Sequence, residues 1–306
     1  MSKGVCVFDL DNTLGDFGII DFFGLVYEPK VITGFVDKKE DKAFLRTQVQ
    51  LYSDEEHDFL EDMRNKFEKI VHEKELDKGV LRPELKEILN PLVEQYRKHK
   101  ILGFIIYSNN GNLYSLEYAG RAIQKMFNAP KLFLKFLDRY NPLRDKYDGN
   151  AIGSRSKMVN TIKHIVPDLE NKHLLFVDDL IHNDFYTTLE STYIHIPAYN
   201  SNIPHERLEE IWDAFEELFY SFDEKEQKLF FNMYHIKSYL GIHSLDQLKN
   251  QYMIYSKVSK HTKPFNEDLP MIRQKIHSFI MKLPKYGGYR RTRKNNLRKT
   301  KRVRHN

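Results

Sequence analysis

Five short apolar runs decide which class of fold this chain can adopt. "GVCVFDL" (4–10), "ILGFIIY" (101–107) and "HLLFV" (173–177) are apolar on both faces, "TYIHI" (192–196) is similar, and a weaker run spans 131–137. A strand without a polar face needs cover on both sides, which a parallel sheet provides and a half-exposed hairpin does not. Helical patterns lie between the runs. "LRPELKEILNPLVEQYRK" sets Leu85, Ile88, Leu89, Leu92, Val93 and Tyr96 at helix spacing, with Pro83 suited to its first turn and Pro91 predicting a kink or break. "SKMVNTIKHIV" offers Met158, Ile162 and Ile165 ahead of the fourth run. Strands alternating with helices predict an α/β fold with a doubly wound parallel sheet, whose ligand site lies at the carboxyl ends of the strands near the topological switch.

Two segments depart from the alternation. Residues 15–78 separate the first strand from the helix that feeds the second, and they read as a helical cap insertion. Within them Ser53 and Glu56 form a capping box, and Phe59, Met63, Phe67, Ile70 and Val71 line one helix face. Residues 205–284 read as helices, starting with Leu208, Ile211, Trp212, Phe215, Leu218 and Phe219 on one side. At 306 residues the chain is longer than one core usually serves. The expected division is an α/β domain over 1–204, a helical C-terminal domain over 205–284 and a basic disordered tail over 285–306, with Gly287-Gly288 near its start. "GNAIGS" near Gly149 reads as a turn.

The net charge of +5 conceals an asymmetry: Lys285 to Arg304 carry ten cations without an acid, leaving residues 1–284 at −5. Such a run reads either as a solvated end or, with Tyr286 and Tyr289 at its base, as a site for nucleic acid or another polyanion. No apolar stretch long enough to span a membrane and no secretory signal is apparent, so an intracellular setting, cytoplasmic or nuclear, without membrane partners is expected. The single Cys6 lies in an apolar strand and reads as a buried structural thiol.

The chemistry gathers at the strand ends. Asp9 ends the first run and Asp11 follows it, so both carboxylates point to one side of the sheet mouth, an arrangement that calls for a divalent cation or a shared proton. A hard, oxygen-liganded ion such as Mg²⁺ fits best. The second strand ends in "SNNGN", bringing Ser108 and Asn109, and the fourth ends in "VDDLIHND", bringing Asp178 and Asp179. Lys157 stands twenty-one positions before Asp178 at the start of a predicted helix. His182, Asn183 and Asp184 read as a solvated loop.

Aspartate, then Ser-Asn, then lysine, then paired aspartates, in strand order over residues 4–200, resemble the four motifs of the haloacid dehalogenase-like (HAD) phosphohydrolase superfamily. The resemblance implies that Asp9 is the nucleophile, Asp11 the general acid and base, and Asp178 a Mg²⁺ ligand with Asp9 and the backbone carbonyl of Asp11. It also implies that Ser108 and Lys157 hold the phosphoryl oxygens, with Thr13 and Asn109 among the substrate-binding residues. Asp179 reads as a further ligand or as a partner orienting a metal-bound water. Asn12 departs from the Asp-Leu-Asp-Glu-Thr of carboxyl-terminal-domain phosphatases, so a phosphoprotein substrate rests on loose similarity, and the cap suits a small phosphoester or nucleotide. The alternatives are a nucleic-acid end-processing phosphatase and a non-catalytic polyanion-binding protein on the same scaffold. "GGYRRTRKNNLRKTKRVR" also resembles basic tails on proteins of large DNA viruses.

Overall fold

The computed structural model describes residues 3–27, 47, 52–148, 156–199, 203–256 and 269–284. The tail at 285–306, the turn at "GNAIGS" and part of the insertion lie outside the described residues. Five parallel strands form one sheet in the order β3-β2-β1-β4-β5: β1 Gly4–Phe8, β2 Ile101–Tyr107, β3 Phe133–Leu137, β4 Leu174–Asp178 and β5 Tyr193–His195. The chain moves from β1 out to β2 and β3, then returns across β1 to β4 and β5. The order reverses at β1, so the carboxyl ends of β1, β2 and β4 converge on one crevice. Every residue of β1 and β4 is buried, as their doubly apolar sequences require.

Among the described residues the α-helices are α1 Gly18–Tyr27, α2 Asp54–Glu73, α3 Leu85–Arg97, α4 Leu113–Met126, α5 Pro142–Tyr147, α6 Val159–Ile165, α7 Asn183–Leu189, α8 His205–Tyr220, α9 Glu224–Asn232, α10 Leu245–Ser256 and α11 Leu269–Lys282. Ser53 and Glu56 cap α2 reciprocally, the Ser53 hydroxyl accepting from the Glu56 amide at 3.2 Å. Of the kink or break expected at Pro91, the break does not occur. Helix α3 runs through it, because the buried flank of Leu85, Ile88, Leu89, Leu92 and Val93 outweighs one lost backbone bond. Pro83 lies ahead of this helix rather than in its first turn. None of the helices among the described residues is long and apolar enough to cross a membrane.

The insertion and the C-terminal helices share an aromatic core. Phe23 of α1 lies 4.3 Å from the Phe67 ring of α2, 5.5 Å from Phe215 of α8 and 5.7 Å from Tyr252 of α10, measured between centroids. At the other end, Phe279 and Leu283 crowd against Gly4, where an ideal Cβ would stand 2.4 Å from Leu283 Cδ2. A side chain there would require the Leu283 and Phe279 side chains to shift.

His235, in the turn after α9, ties three parts of this assembly together. Its Nε2–H donates to the Val26 carbonyl at 2.9 Å, and Nδ1 accepts from the Tyr52 hydroxyl at 2.7 Å. Burial pushes its imidazole down to about 4. The unfolded chain therefore binds more protons than the fold between about pH 6.5 and 4, so this stability is complete above 6.5 and is lost as pH falls to 4. The stability difference between wild type and His235→Gln should shrink by about 3 kcal/mol from pH 7 to pH 4. Urea denaturation at the two pH values checks this, and a constant difference would refute it.

Candidate active site

β1 and β4 end side by side, and their register carries Asp9 next to Asp178: Phe8 pairs with Val177, and the Asp9 amide donates to the Val177 carbonyl at 2.9 Å. Ligand oxygens of Asp9, Asp178 and Asp179 all lie within 4.8 Å of one another. Lys157 Nζ stands between two of them, donating to Asp9 Oδ1 at 2.5 Å and to Asp178 Oδ2 at 2.6 Å, with its side chain 1% exposed. The lysine precedes α6 rather than beginning it. Its position is set from below: the Met158 amide donates to the Tyr107 hydroxyl at 3.1 Å, and that hydroxyl and Thr161 both donate to Asp148. Arg144, also buried, donates to Asp148 at 2.7 Å and to the Ser108 carbonyl at 2.5 Å. One buried network thus supports both Lys157 and the end of β2.

The remaining sequence-derived residues divide by where they point. Thr13 braces Asp179, donating to Oδ1 at 3.1 Å and accepting from the Asp179 amide at 2.9 Å. The buried Ser108 hydroxyl accepts from the Asn110 amide at 3.0 Å. Asn109 turns its amide oxygen to Arg144 Nη2 at 2.7 Å. The neighbouring Asn110 is the residue that meets the acids, 3.3 Å from Asp11 Oδ1. Asp11 itself follows β1 in a tight turn in which Asn12 takes a left-handed φ of 59°, and buried Arg82 holds that turn by donating to the Asn12 and Pro197 carbonyls at 2.6 Å each.

Residues 182–184 are not a loop, and of the three only Asn183 is fully solvated. His182 is buried with Nε2 3.3 Å from Asp178 Oδ2, and Asp184 accepts from the Val159 amide at 2.7 Å, capping α6. Asn183 begins α7. Asn183 stays exposed and Asp184 is half-buried, while His182 is covered because α7 folds back onto β4, a return that the "HND" triplet alone does not signal.

Electrostatics follow from burying several acids around a single lysine. Burial raises the Asp9 carboxyl to about 7, with Asp178 and Asp179 adding to the rise and Lys157 opposing it. Asp11 is pushed well above the ordinary carboxylate range by burial, then by Asp21 and Asp9. Burial also disfavours ionisation of Asp178, but Lys157 and His182 outweigh it and hold that carboxyl below its usual value. Asp179 is raised by burial and by Asp178. Three clustered carboxylates offering hard oxygen donors, countered by one bonded ammonium, form a donor set that suits Mg²⁺.

Asp21 was not signalled by any motif. It is the single charge in "GIIDFFGLVY", and a lone acid in an otherwise apolar helix implies a buried partner. That pattern could have found it.

Fold and site together define an α/β protein with a doubly wound parallel sheet and an acid-and-lysine centre at the switch point. No protein-family model and no curated protein matches the chain. Among solved structures it is similar to a HAD-superfamily hydrolase, subfamily IA, variant 1, from Geobacter sulfurreducens PCA. The identity is 11% and the TM-score 0.30, over 64% of this chain and 90% of that one. It is also similar to a protein from Clostridium difficile provisionally named a phosphatase, at 16% identity and TM-score 0.29, over 69% of this chain and 92% of that one. At these values the likenesses carry no argument about activity, which has to come from the site.

Proposed function

We propose that this chain is a Mg²⁺-dependent phosphomonoester hydrolase of the HAD-like type, acting through an aspartyl-phosphate on Asp9. The observation that carries the reading is the lysine shared between Asp9 and Asp178, with Asp179 completing the carboxylate group at the sheet mouth. A carboxylate attacks a phosphate dianion only where positive charge offsets their repulsion. Lys157 supplies part of that charge. A bound Mg²⁺, held by Asp9, Asp178 and the Asp11 carbonyl, would supply the rest by withdrawing charge from the phosphoryl oxygens.

In the first half-reaction an Asp9 oxygen bonds to phosphorus as the bond from phosphorus to the leaving oxygen breaks. Asp11, whose environment favours its protonated form, gives that oxygen its proton. In the second half-reaction water attacks the phosphorus, Asp11 takes a proton from the water, and the bond to Asp9 breaks. Inorganic phosphate leaves and Asp9 returns as a carboxylate. Ser108 and Lys157 hold the non-bridging oxygens through both halves.

Release of inorganic phosphate by the purified full-length chain tests this. The panel comprises sugar phosphates, nucleotides, phosphopeptides and phosphorylated oligonucleotides, the last because ten cations crowd the end of the chain. At least one class should be hydrolysed with Mg²⁺. EDTA should cut that rate by about 100-fold or more, with recovery on adding Mg²⁺ but not Ca²⁺, whose looser coordination disturbs in-line geometry. No hydrolysis of any class, or full activity in EDTA, would overturn the proposal.

A further inference from the structure

The loop after β2 is fastened to helix α1 by a set of polar contacts that the catalytic reading leaves unused. Asp21 of α1 is half-buried among them, with the Ser115 hydroxyl donating to its Oδ1. Asn110 Nδ2 donates to both of its carboxylate oxygens at 3.0 Å and to Asp11 Oδ1 at 3.3 Å. The orientation of that amide is dictated by its other end, because Asn110 Oδ1 accepts the Asn112 backbone N–H at 2.7 Å. A backbone N–H can bond only the oxygen, so the two amide hydrogens must face the two carboxylates. Asn112 secures the same junction by donating from Nδ2 to the Asp21 carbonyl at 2.9 Å. Gly24 allows this approach, since an ideal Cβ there would stand 2.3 Å from Asn112 Nδ2.

We propose that Asn110, anchored by Asp21, is a positioning residue for Asp11: one amide hydrogen is held by the α1 carboxylate while the other fixes the direction of the Asp11 side chain. The inference rests on the reading of Asp11 as general acid. Without the amide, two half-buried carboxylates would face each other across the gap, and the Asp11 side chain would lose the hydrogen bond it receives from the β2 loop. Neither Asn110 nor Asp21 touches the phosphoryl group in this scheme. Their effect passes through the direction in which Asp11 offers its proton.

Leaving-group dependence separates this role from a merely structural one. Protonation by a general acid matters most when the leaving oxygen is basic, and little when it departs readily as an anion. The substrates are phenyl, p-nitrophenyl and 2,4-dinitrophenyl phosphate with Mg²⁺, and the readout is how kcat/KM changes across the series. Asn110→Ala should lower the phenyl phosphate rate relative to the 2,4-dinitrophenyl phosphate rate by about tenfold or more, part of the 10²–10⁴ that a general acid contributes. Asp21→Asn, which preserves shape, should shift the ratio in the same direction by less, and it carries the test if Asn110→Ala does not fold. In an Asp11→Asn background, Asn110→Ala should shift the ratio no further, because residues acting as a unit are not additive.

Equal losses on all three substrates, or an additive shift in the double variant, would overturn the positioning role. Failure of the underlying reading looks different: wild type would release phosphate neither from these esters nor from any class of the panel above, or Asp9→Asn would hydrolyse them as well as wild type, and the inference would fall with it.

Discussion

Asp9→Asn should reduce phosphate release by about 10⁴-fold or more, the scale of removing a nucleophile from a preorganised site. An amide in place of the carboxylate cannot form the bond to phosphorus, yet it keeps the side chain's shape and an oxygen that Lys157 can still reach. The fold should survive because Asp9 lies beyond the last residue of β1, while the strand interior from Val5 to Phe8 is untouched. Two measurements check this together: turnover on the best substrate of the panel, and acid-quenched retention of labelled phosphoryl on the protein. Label should accumulate on wild type and be absent from Asp9→Asn, with thermal unfolding cooperative in both. Undiminished turnover in the variant would rule out attack by Asp9.

Lys157→Met should harm stability as well as activity. The ammonium is buried and bonded to two buried carboxylates, and removing one member of such a group typically costs about 3–5 kcal/mol because the others are left uncompensated. The loss should depend on pH, and its sign is determined. Without the lysine the carboxyls of Asp9 and Asp178 titrate higher in the fold, so the folded state holds protons that the unfolded chain has already released above about pH 4. Stability of the variant relative to wild type therefore falls as pH rises, with the smallest deficit near pH 4 and the largest near pH 8. Denaturant unfolding at both pH values in EDTA reads this directly. A deficit independent of pH would mean that Lys157 acts by packing alone. On the activity side, Asp9 of the variant would remain protonated to higher pH, moving the acid limb of the rate profile upward.

The strands, their parallel sense and the crevice they create were determined by the sequence alone. Runs such as "ILGFIIY" declare two-sided burial locally, and alternation with helices leaves few topologies to choose from. The approach of Asp9 to Asp178 followed from strand ends and strand order, since side chains at the carboxyl edge of adjacent strands converge wherever the register is parallel. Lys157, by contrast, lies on no strand, and its place between them came from the fold. Alternation stops where a strand stops. That is why Asn109 and Asn110, equivalent as letters, could not be told apart: the loop conformation sends the first to Arg144 and the second to Asp11.

Only the tertiary structure decided which distant segments meet. Asp21 reaches Asn110 across 89 positions, and His235 meets the Val26 carbonyl across 209. Pro91 persists within a helix because a buried flank outweighs its missing bond, and His182 is covered because α7 folds back over β4. Periodicity is a property of neighbouring residues and so can be read along the chain. The partners of a lone acid in an apolar helix, a histidine or an aromatic such as Phe23 depend on how whole helices pack, which is determined by the summed burial of many side chains and by no local pattern.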